Sequence, residues 1–237
     1  PAAGLAGLTL GELQLKEFVT DPQATNRLTL ALANFDRLLA AATNGPLAGK
    51  AYLDRGWCGL LAGNTAASLA DFRAAAARLP VSDDLAVAKF KLGDALYQLK
   101  DYAGARENYQ AVLDQFGKIP DVAQSLGDRA LYQILRTDMK MTNAPGAEAA
   151  MRQLLEKFPT SELRDNGLLL MAESFSDWGL TTNAFQAFQE FMRLFPDSPL
   201  RPQVELASAR TFERDQNWPA AITNYEGWLK EFPTNEL

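Results

Sequence analysis

Residues 86–122 read AVAKFKLGDALYQLKDYAGARENYQAVLDQFGKIPDV and form the clearest copy of a unit that recurs along the chain. In this copy a small residue, Ala105, is followed four positions later by a bulky one, Tyr109. Six such pairs occur: Ala31 and Phe35, Ser68 and Phe72, Ala105 and Tyr109, Ala147 and Met151, Ala184 and Phe188, and Ala221 and Tyr225. Successive pairs are 37, 37, 42, 37 and 37 residues apart. A fixed period of this size predicts a solenoid of stacked units.

Each unit has the pattern of two amphipathic helices. Apolar or small residues in the first half of residues 86–122 recur at the three-and-four spacing of a helix: Ala88, Leu92, Gly93, Leu96 and Leu99. Asp101 then follows as a candidate cap for a second helix. The inner face of that second helix would be Tyr102, Ala105, Tyr109, Val112, Leu113 and Phe116. The sequence therefore predicts a helical hairpin in each unit.

The junctions between units carry helix-stop and helix-start signals. Phe158-Pro159, Phe195-Pro196 and Phe232-Pro233 each place an aromatic residue in the last turn of a second helix, followed by a residue that cannot extend it. In the junction after Phe195, Ser198 can accept hydrogen bonds from unpaired amides, and Pro199 is expected at the first helical position.

The fourth unit contains five extra residues. We expect them in a longer turn spanning 136–143, between a first helix that includes Leu126 to Leu135 and a second helix that begins near Ala144. Two interpretations stay open. The longer turn is a tolerated insertion, since loop closure costs little extra entropy, or it is a loop that contacts a partner.

The pattern resembles the tetratricopeptide repeat family, whose unit is a helix-turn-helix of 34 residues. Leu92-Gly93, Leu96, Tyr102, Ala105, Tyr109 and the proline-terminated unit ends carry the resemblance, which covers residues 12–237 and is weakest where Asp21-Pro22 interrupts the first helix. The resemblance implies an all-α, right-handed superhelical solenoid of about six hairpins at 37-residue spacing. As a single array, its units would be 12–48, 49–85, 86–122, 123–164, 165–201 and 202–237.

The longer unit and the Phe-Pro-Asp-Ser-Pro-Leu junction are also similar to bacterial envelope members of the family, those of outer-membrane assembly and the Tol-Pal system. This likeness implies a periplasmic or outer-membrane-associated protein, with a cytoplasmic location as the alternative. The chain begins with Pro1, and the residues around Phe232 nearly repeat those around Phe158, so the sequence is expected to be a fragment of a longer chain.

Composition narrows the classes of function. The chain has a net charge of −6 and no concentration of Lys and Arg, which argues against nucleic acid or an anionic membrane as the main partner. It has no His and a single cysteine, Cys58, which lowers the prospect of hydrolase or zinc chemistry and excludes an internal disulfide. No apolar run reaches membrane-spanning length.

Several segments with a superficial chemical pattern favour structural interpretations. Residues 45–51 resemble a phosphate-binding loop, but their glycine spacing is one residue short and Ala51 replaces the Ser or Thr that would hold magnesium. They are instead interpreted as a linker between hairpins. Cys58 is predicted to be a buried small residue, and Trp218 and Trp228 are predicted to pack in the array rather than bind carbohydrate. We predict no catalytic residue, metal or cofactor.

The acidic residues Glu173 and Asp177 share a helical face, and adding 37 to each gives Arg210 and Arg214. The repeat therefore predicts that an acidic pair on one first helix faces a basic pair on the next. In the proteins that the chain resembles, first helices line a concave surface that binds extended peptides or partner helices. Carried onto this sequence, the binding positions are Asp94, Tyr97, Gln98, Glu173, Asp177, Arg210, Glu213 and Arg214.

The resemblance implies a non-catalytic scaffold that binds a partner protein or peptide, in a bacterial cell-envelope complex. Two alternatives are open. The array could be a regulatory or substrate-positioning domain of a larger enzyme, or a structural element whose ends stack on copies of itself. The sequence does not specify an oligomeric state.

Overall fold

The computed structural model describes residues 2–41 and 44–235. Within these ranges the chain forms twelve helices and no strands. The helices are α1 (Ala2–Thr20), α2 (Thr25–Ala41), α3 (Pro46–Leu61), α4 (Thr65–Ala76), α5 (Asp83–Gln98), α6 (Tyr102–Phe116), α7 (Pro120–Lys140), α8 (Ala144–Lys157), α9 (Leu163–Asp177), α10 (Thr181–Leu194), α11 (Arg201–Arg214) and α12 (Trp218–Glu231). The all-α class predicted from the repeat is confirmed. Odd-numbered helices are called first helices below, and even-numbered helices second helices.

The chain divides into two compact units, Pro1–Ala130 and Leu131–Leu237, called unit 1 and unit 2. Unit 1 contains the hairpins α1–α2, α3–α4 and α5–α6 and the beginning of α7. Unit 2 contains the remainder of α7, followed by α8 and the hairpins α9–α10 and α11–α12. Helices that are adjacent in sequence pack on one another from α1 to α6 in unit 1 and from α8 to α12 in unit 2, as expected for an array of repeats.

The hairpin turns repeat one backbone conformation. The middle residue of each three-residue turn has a positive φ: Gly63 (75°), Lys100 (65°), Thr142 (55°), Gly179 (73°) and Gln216 (58°). The amide of the next residue donates to a carbonyl five positions earlier, as in the bond of 2.9 Å from Asp101 to Leu96. This is the pattern of a helix that ends in a left-handed residue. It explains why turns of unrelated sequence have the same length.

The residue after the positive φ caps the second helix in four of these five turns. The side chains of Asn64, Asp101, Asn143 and Asn217 each accept a hydrogen bond from the amide three residues later. The predicted cap at Asp101 is confirmed, with an Oδ1–N distance of 3.0 Å to Gly104. The fifth turn has Leu180 at this position, and α10 has no side-chain cap.

Replacing Leu180 by Asn is expected to raise the free energy of unfolding by about 1 kcal/mol, because the new side chain would satisfy an unpaired amide of α10. The backbone of Leu180 (φ −83°, ψ 60°) is close to that of the capping residue Asn217 (φ −85°, ψ 71°). Urea denaturation of both proteins measures the difference. Leu180→Ala is the control, since it removes the leucine without adding a cap. Equal stability of the Asn and Ala variants would contradict the prediction.

The core follows the small-and-bulky repeat. All six small residues are buried, and Phe35, Phe72, Tyr109, Met151 and Phe188 are at most 3% exposed. A glycine of the first helix faces the ring in three hairpins, Gly11 against Phe35, Gly56 against Phe72 and Gly93 against Tyr109. A Cβ at Gly93 would lie 2.7 Å from Cε1 of Tyr109, which is closer than van der Waals contact. Close approach of the two helices therefore depends on these glycines.

The five extra residues of the fourth repeat lie in a helix, so the prediction of a longer turn is wrong. α7 has 21 residues whereas α5 has 16, and the turn after α7 spans only residues 141–143. The added turns continue an apolar stripe through Leu131, Ile134 and Leu135 and bury Met139. The polar residues 136–138 suggested a loop, but the hydroxyl of Thr137 donates a hydrogen bond of 2.6 Å to the carbonyl of Gln133, one helical turn earlier.

Other local predictions need correction. Asp21-Pro22 lies in the turn after α1, which ends at Thr20, so it separates two helices rather than interrupting one. Ser198 accepts from the amide of Leu200 at 3.2 Å, but α11 begins only at Arg201, so Pro199 precedes the helix. Leu99 and Trp218 are 46% and 56% exposed and do not belong to the core, whereas Trp228 is buried and donates from Nε1 to the carbonyl of Pro202.

The predicted stops of the second helices are confirmed, with an adjustment of burial. Phe158, Phe195 and Phe232 are the capping residues at the C-termini of α8, α10 and α12. All three are half-buried rather than buried. Phe195 and Phe232 pack edge-on or tilted against Phe191 and Trp228, with ring centroids 5.7 Å apart in both pairs.

Candidate functional site: the first-helix face

Side chains of neighbouring first helices form ion pairs with one another in each unit. In unit 1, Lys50 of α3 contacts Glu12 of α1 and Asp84 of α5. In unit 2, Asp177 of α9 pairs with Arg214 of α11. We call the surface made by α1, α3 and α5 in unit 1, and by α9 and α11 in unit 2, the first-helix face.

The face of unit 2 contains an open cleft of about 180 Å³ between α9 and α11. Its lining residues are Glu173, Ser176, Asp177, Ala207, Arg210 and Arg214. Five of the six are polar or charged. Arg214 donates to Asp177 and also to the hydroxyl of Ser176, at 3.2 Å. The cleft therefore presents fixed charges of both signs to solvent.

The predicted pairing of acids with bases is present at one of its two positions. Asp177 and Arg214 form an ion pair. Glu173 and Arg210 line the same cleft, but the carboxylate of Glu173 accepts from Nε2 of Gln203 at 3.3 Å. The side chains of Asp177 and Arg214 are 59% and 56% exposed, so their pair contributes about 0–1 kcal/mol to stability.

Glu213 is directed toward its own hairpin. Its carboxylate accepts from the hydroxyl of Tyr225 on α12 at 2.6 Å. Burial, together with this hydrogen bond and the negative charge of Glu213, raises the pKa of Tyr225. Glu213 does not line the cleft that holds the other four candidates of unit 2.

The three candidates of unit 1 make contacts inside or beside their hairpin. The two carboxylate oxygens of Asp94 accept from Nζ of Lys91 at 2.7 Å and from the hydroxyl of Tyr109 at 2.8 Å. The ring of Tyr97 packs edge-on against Tyr102, with centroids 5.3 Å apart. Gln98 is exposed and accepts from Thr65 at 2.8 Å. Asp94 therefore links the surface to the core ring of its hairpin.

Three residues of the face were missed by sequence reasoning, namely Lys50, Asp54 and Trp57 of α3. Trp57 stands 37 residues before Asp94, and Asp54 stands 37 before Lys91. The structure joins the two registers, because Nζ of Lys91 lies 4.3 Å from the centroid of the Trp57 ring, a cation–π contact. Subtracting the period from the candidates of α5 would have found Trp57.

Lys50 is surrounded by carboxylates from three helices. Its Nζ lies 3.2 Å from Asp84, 3.3 Å from Asp54 and 3.7 Å from Glu12. Burial raises the pKa of Asp54 to about 7; Lys50 opposes this rise and Glu12 adds to it. Burial by itself would lower the pKa of Lys50, but Asp54 and Asp84 raise it above its ordinary value. We call these four residues the Lys50 cluster.

The structure shows the surroundings of Cys58 and of residues 45–51, the segments with a superficial chemical pattern, and of possible metal ligands. Within them, no group of three or more His, Cys, Asp or Glu residues is arranged to hold a metal ion. Cys58 is buried, and burial raises the pKa of its thiol to about 12, which suppresses the nucleophilic thiolate. The segment that resembles a phosphate loop is the start of α3, with Gly45 as the capping residue and Pro46 in the first turn.

None of the helices in the described ranges has the length and apolar character needed to cross a bilayer.

Comparison with sequence families gives matches along most of the chain. A tetratricopeptide repeat profile matches residues 21–83 and 90–161, which together are more than half of the chain. A second tetratricopeptide repeat profile matches residues 167–198. No curated protein matches the sequence.

Comparison with solved structures gives similar folds at low sequence identity. A tetratricopeptide repeat protein from Parabacteroides merdae has a TM-score of 0.66 at 14% identity, over 95% of this chain and 80% of its own. The apo form of RapI has a TM-score of 0.74 at 14% identity, over 94% of this chain and 65% of its own. YrrB, described as a tetratricopeptide repeat protein with an unusual peptide-binding site, has a TM-score of 0.56 at 12% identity, over 85% and 93%.

Proposed function

The chain belongs to the tetratricopeptide repeat family, and from this premise we propose that it is a non-catalytic scaffold that binds a partner polypeptide on its first-helix face. Proteins of this family generally mediate protein–protein interactions. The observation that carries the proposal is the cleft between α9 and α11, where Asp177, Arg210 and Arg214 present exposed charges around a volume of about 180 Å³.

The charged side chains of this cleft can exchange an ion pair within the protein for one with the bound polypeptide. The Asp177–Arg214 pair is more than half exposed and stabilises the fold little, so a partner carboxylate or cation can replace one member at small cost. Many modest contacts of this kind, spread over successive repeats, order an extended peptide. The similar protein YrrB is described as having a peptide-binding site, which supports a peptide as the class of ligand proposed here.

The charge reversal Arg210→Glu with Arg214→Glu is expected to weaken partner binding at least tenfold and to change the melting temperature little. Two acidic residues, Glu173 and Asp177, would then face two more across the cleft. The measurement is affinity capture from lysate of the source organism with the full-length protein, followed by titration of the captured partner.

The matched control reverses two exposed basic residues on second helices of the same unit, Lys157→Glu with Arg193→Glu. Like Arg214, both lie in the last turn of a helix. The control is expected to retain the partner. If both double variants bind as the parent does, the cleft is not the binding surface; if only the control loses binding, the partner contacts the second helices.

The cellular setting follows from the narrower resemblance. The unit of 37 residues and the Phe195 to Leu200 junction are the features shared with envelope members of the family, so we place the scaffold in a bacterial cell-envelope complex. Fractionation of cells producing the full-length protein tests this placement. Recovery in the cytosolic fraction alone would refute it without affecting the binding proposal.

A further inference from the structure

We propose that the Lys50 cluster receives a cationic side chain, a lysine or arginine, of the partner polypeptide. The inference rests on the proposed function and specifies the chemistry of the ligand at unit 1. The cluster lies on the first-helix face, and its four members come from α1, α3 and α5, so one bound side chain would contact three successive repeats.

The cluster has more negative than positive charge. Glu12, Asp54 and Asp84 surround the single ammonium group of Lys50 at 3.2–3.7 Å. When all three carboxylates are ionised, two negative charges remain uncompensated. Such a local field attracts a second cation and repels an anionic partner.

One carboxylate oxygen of Asp54 can accept a hydrogen bond from a ligand. Its side chain is 8% exposed, and Oδ1 contacts Lys50 whereas Oδ2 has no hydrogen-bond partner among the described residues. A buried carboxylate oxygen without a donor is costly, because the energy of hydration is lost without replacement. An ammonium or guanidinium group entering beside Lys50 would lower this cost.

Access to the cluster is through its rim. The side chains of Glu12 and Asp84 are 37% and 45% exposed, and that of Lys50 is 28% exposed. A small movement of Lys50 toward Asp84 would uncover Asp54 to a ligand. Trp57 follows on the same helix, and its ring already holds the ammonium of Lys91, so this part of the face binds cations in two chemically different ways.

The Lys50 cluster suits a cationic side chain of a polypeptide better than a metal ion. The described residues include no cluster of ligands suited to a metal, and Lys50 occupies the centre that a metal would need. A lysine or arginine side chain requires only part of the rim, and Lys50 stays within the cluster after its small movement toward Asp84.

The test is titration of the protein with a blocked tetralysine peptide, followed by amide chemical shifts and calorimetry. Glu12→Gln with Asp84→Asn is expected to weaken binding at least fivefold. The matched control, Glu107→Gln with Asp114→Asn, removes the same charge from the exposed surface of α6 and is expected to bind as the parent does. Asp84→Asn alone serves as the second variant if the double variant does not fold.

Dependence on pH separates the cluster from ordinary surface acids. The groups acting on Asp54 are Glu12 from α1, Lys50 on α3 and Asp84 from α5, and the adjacent Cys58 also senses Asp36 of α2 and Asp71 of α4. Because the pKa of Asp54 is about 7, its charge is present at pH 8 and mostly absent at pH 6. The parent should therefore bind tetralysine several-fold more tightly at pH 8, and Asp54→Asn should show no such change.

Three results would overturn the inference. They are no binding of tetralysine by the parent, equal losses in the cluster and control variants, and tighter binding of free spermine than of the peptide, which would assign the site to a polyamine. A tetra-acetyllysine peptide should not bind. None of these results removes the proposed function, because loss of the captured partner in the Arg210/Arg214 variant is measured separately at unit 2.

Discussion

Replacement of Tyr109 by Ala is expected to lower the free energy of unfolding by about 3–5 kcal/mol, the usual cost of removing a large aromatic ring from a core. Tyr109 is fully buried, its ring packs edge-on against Phe90 at 5.4 Å, and its hydroxyl donates to Asp94 at 2.8 Å. Gly93 of α5 faces the ring and has no side chain of its own to fill the resulting space. Thermal and urea denaturation, followed by circular dichroism, measure the loss.

Tyr225→Ala is a control of the same residue type at the same repeat position. Tyr225 is half-exposed, and its hydroxyl also donates to a carboxylate, that of Glu213. Folding removes less apolar surface from water at Tyr225 than at Tyr109. The free energy of unfolding should therefore fall less than half as much in this variant as in Tyr109→Ala. A Tyr109 variant as stable as the Tyr225 variant would contradict the conclusion that Tyr109 stabilises the packing between helices.

The fold was predictable where the same physical requirement recurs from one repeat to the next. Two helices approach closely only where one of them has a small side chain, so a small residue such as Ala105 recurs four positions before each bulky one, and Gly93 has an equivalent in Gly56. Capping has the same origin, since second helices begin with unpaired amides, and Asp101 and the asparagines at three equivalent positions each satisfy one of them. Repetition turns these weak local signals into a strong global one.

The errors arise where one repeat, the fourth, departs from the others. The extra residues of α7 were assigned to a turn because Arg136, Thr137 and Asp138 are polar, yet Thr137 and Asp138 are fully buried. Asp138 accepts from Nδ2 of Asn143 at 2.7 Å, so its polar group is used by the following turn. A hydrophobicity pattern does not distinguish an exposed polar residue from a buried one with a partner close in sequence.

The candidate site was predictable in its charge pattern and less so in its contacts. The period correctly predicted the pairing of Asp177 with Arg214, because residues one repeat apart lie on neighbouring first helices. It did not reveal that Glu213 turns toward Tyr225 or that Asp94 is shared between Lys91 and Tyr109. Long side chains choose among several partners, and that choice depends on three-dimensional neighbours rather than on register.

The Lys50 cluster was missed for a different reason. Its members come from three helices, and no two of them stand one period of 37 residues apart. Only the packing of α1 on α3 brings Glu12 within 3.7 Å of Lys50. A site whose members do not occupy equivalent positions of the repeats leaves no periodic trace in the sequence.

Asp54 is expected to make the free energy of unfolding fall by up to about 4 kcal/mol as pH rises from about 4 to about 7. Its pKa is about 7 in the folded protein, chiefly because of burial, and about 3.9 in an unfolded chain. Between these values the folded state binds more protons than the unfolded state, so raising the pH favours unfolding. The stabilisation by the neutral acid is complete below pH 4 and is lost as pH passes through 7.

Asp54→Asn should remove this dependence, because the amide cannot ionise and Lys50 keeps Asp84 and Glu12 as partners. Urea denaturation at a series of pH values should show the variant more stable than the parent at pH 8 by more than about 1 kcal/mol, with the difference vanishing near pH 4. Asp114→Asn, an exposed acid on α6, should retain the profile of the parent. Parallel profiles for Asp54→Asn and the parent would mean that Asp54 stays ionised in the folded protein, and that its ion pair with Lys50 outweighs the cost of burial.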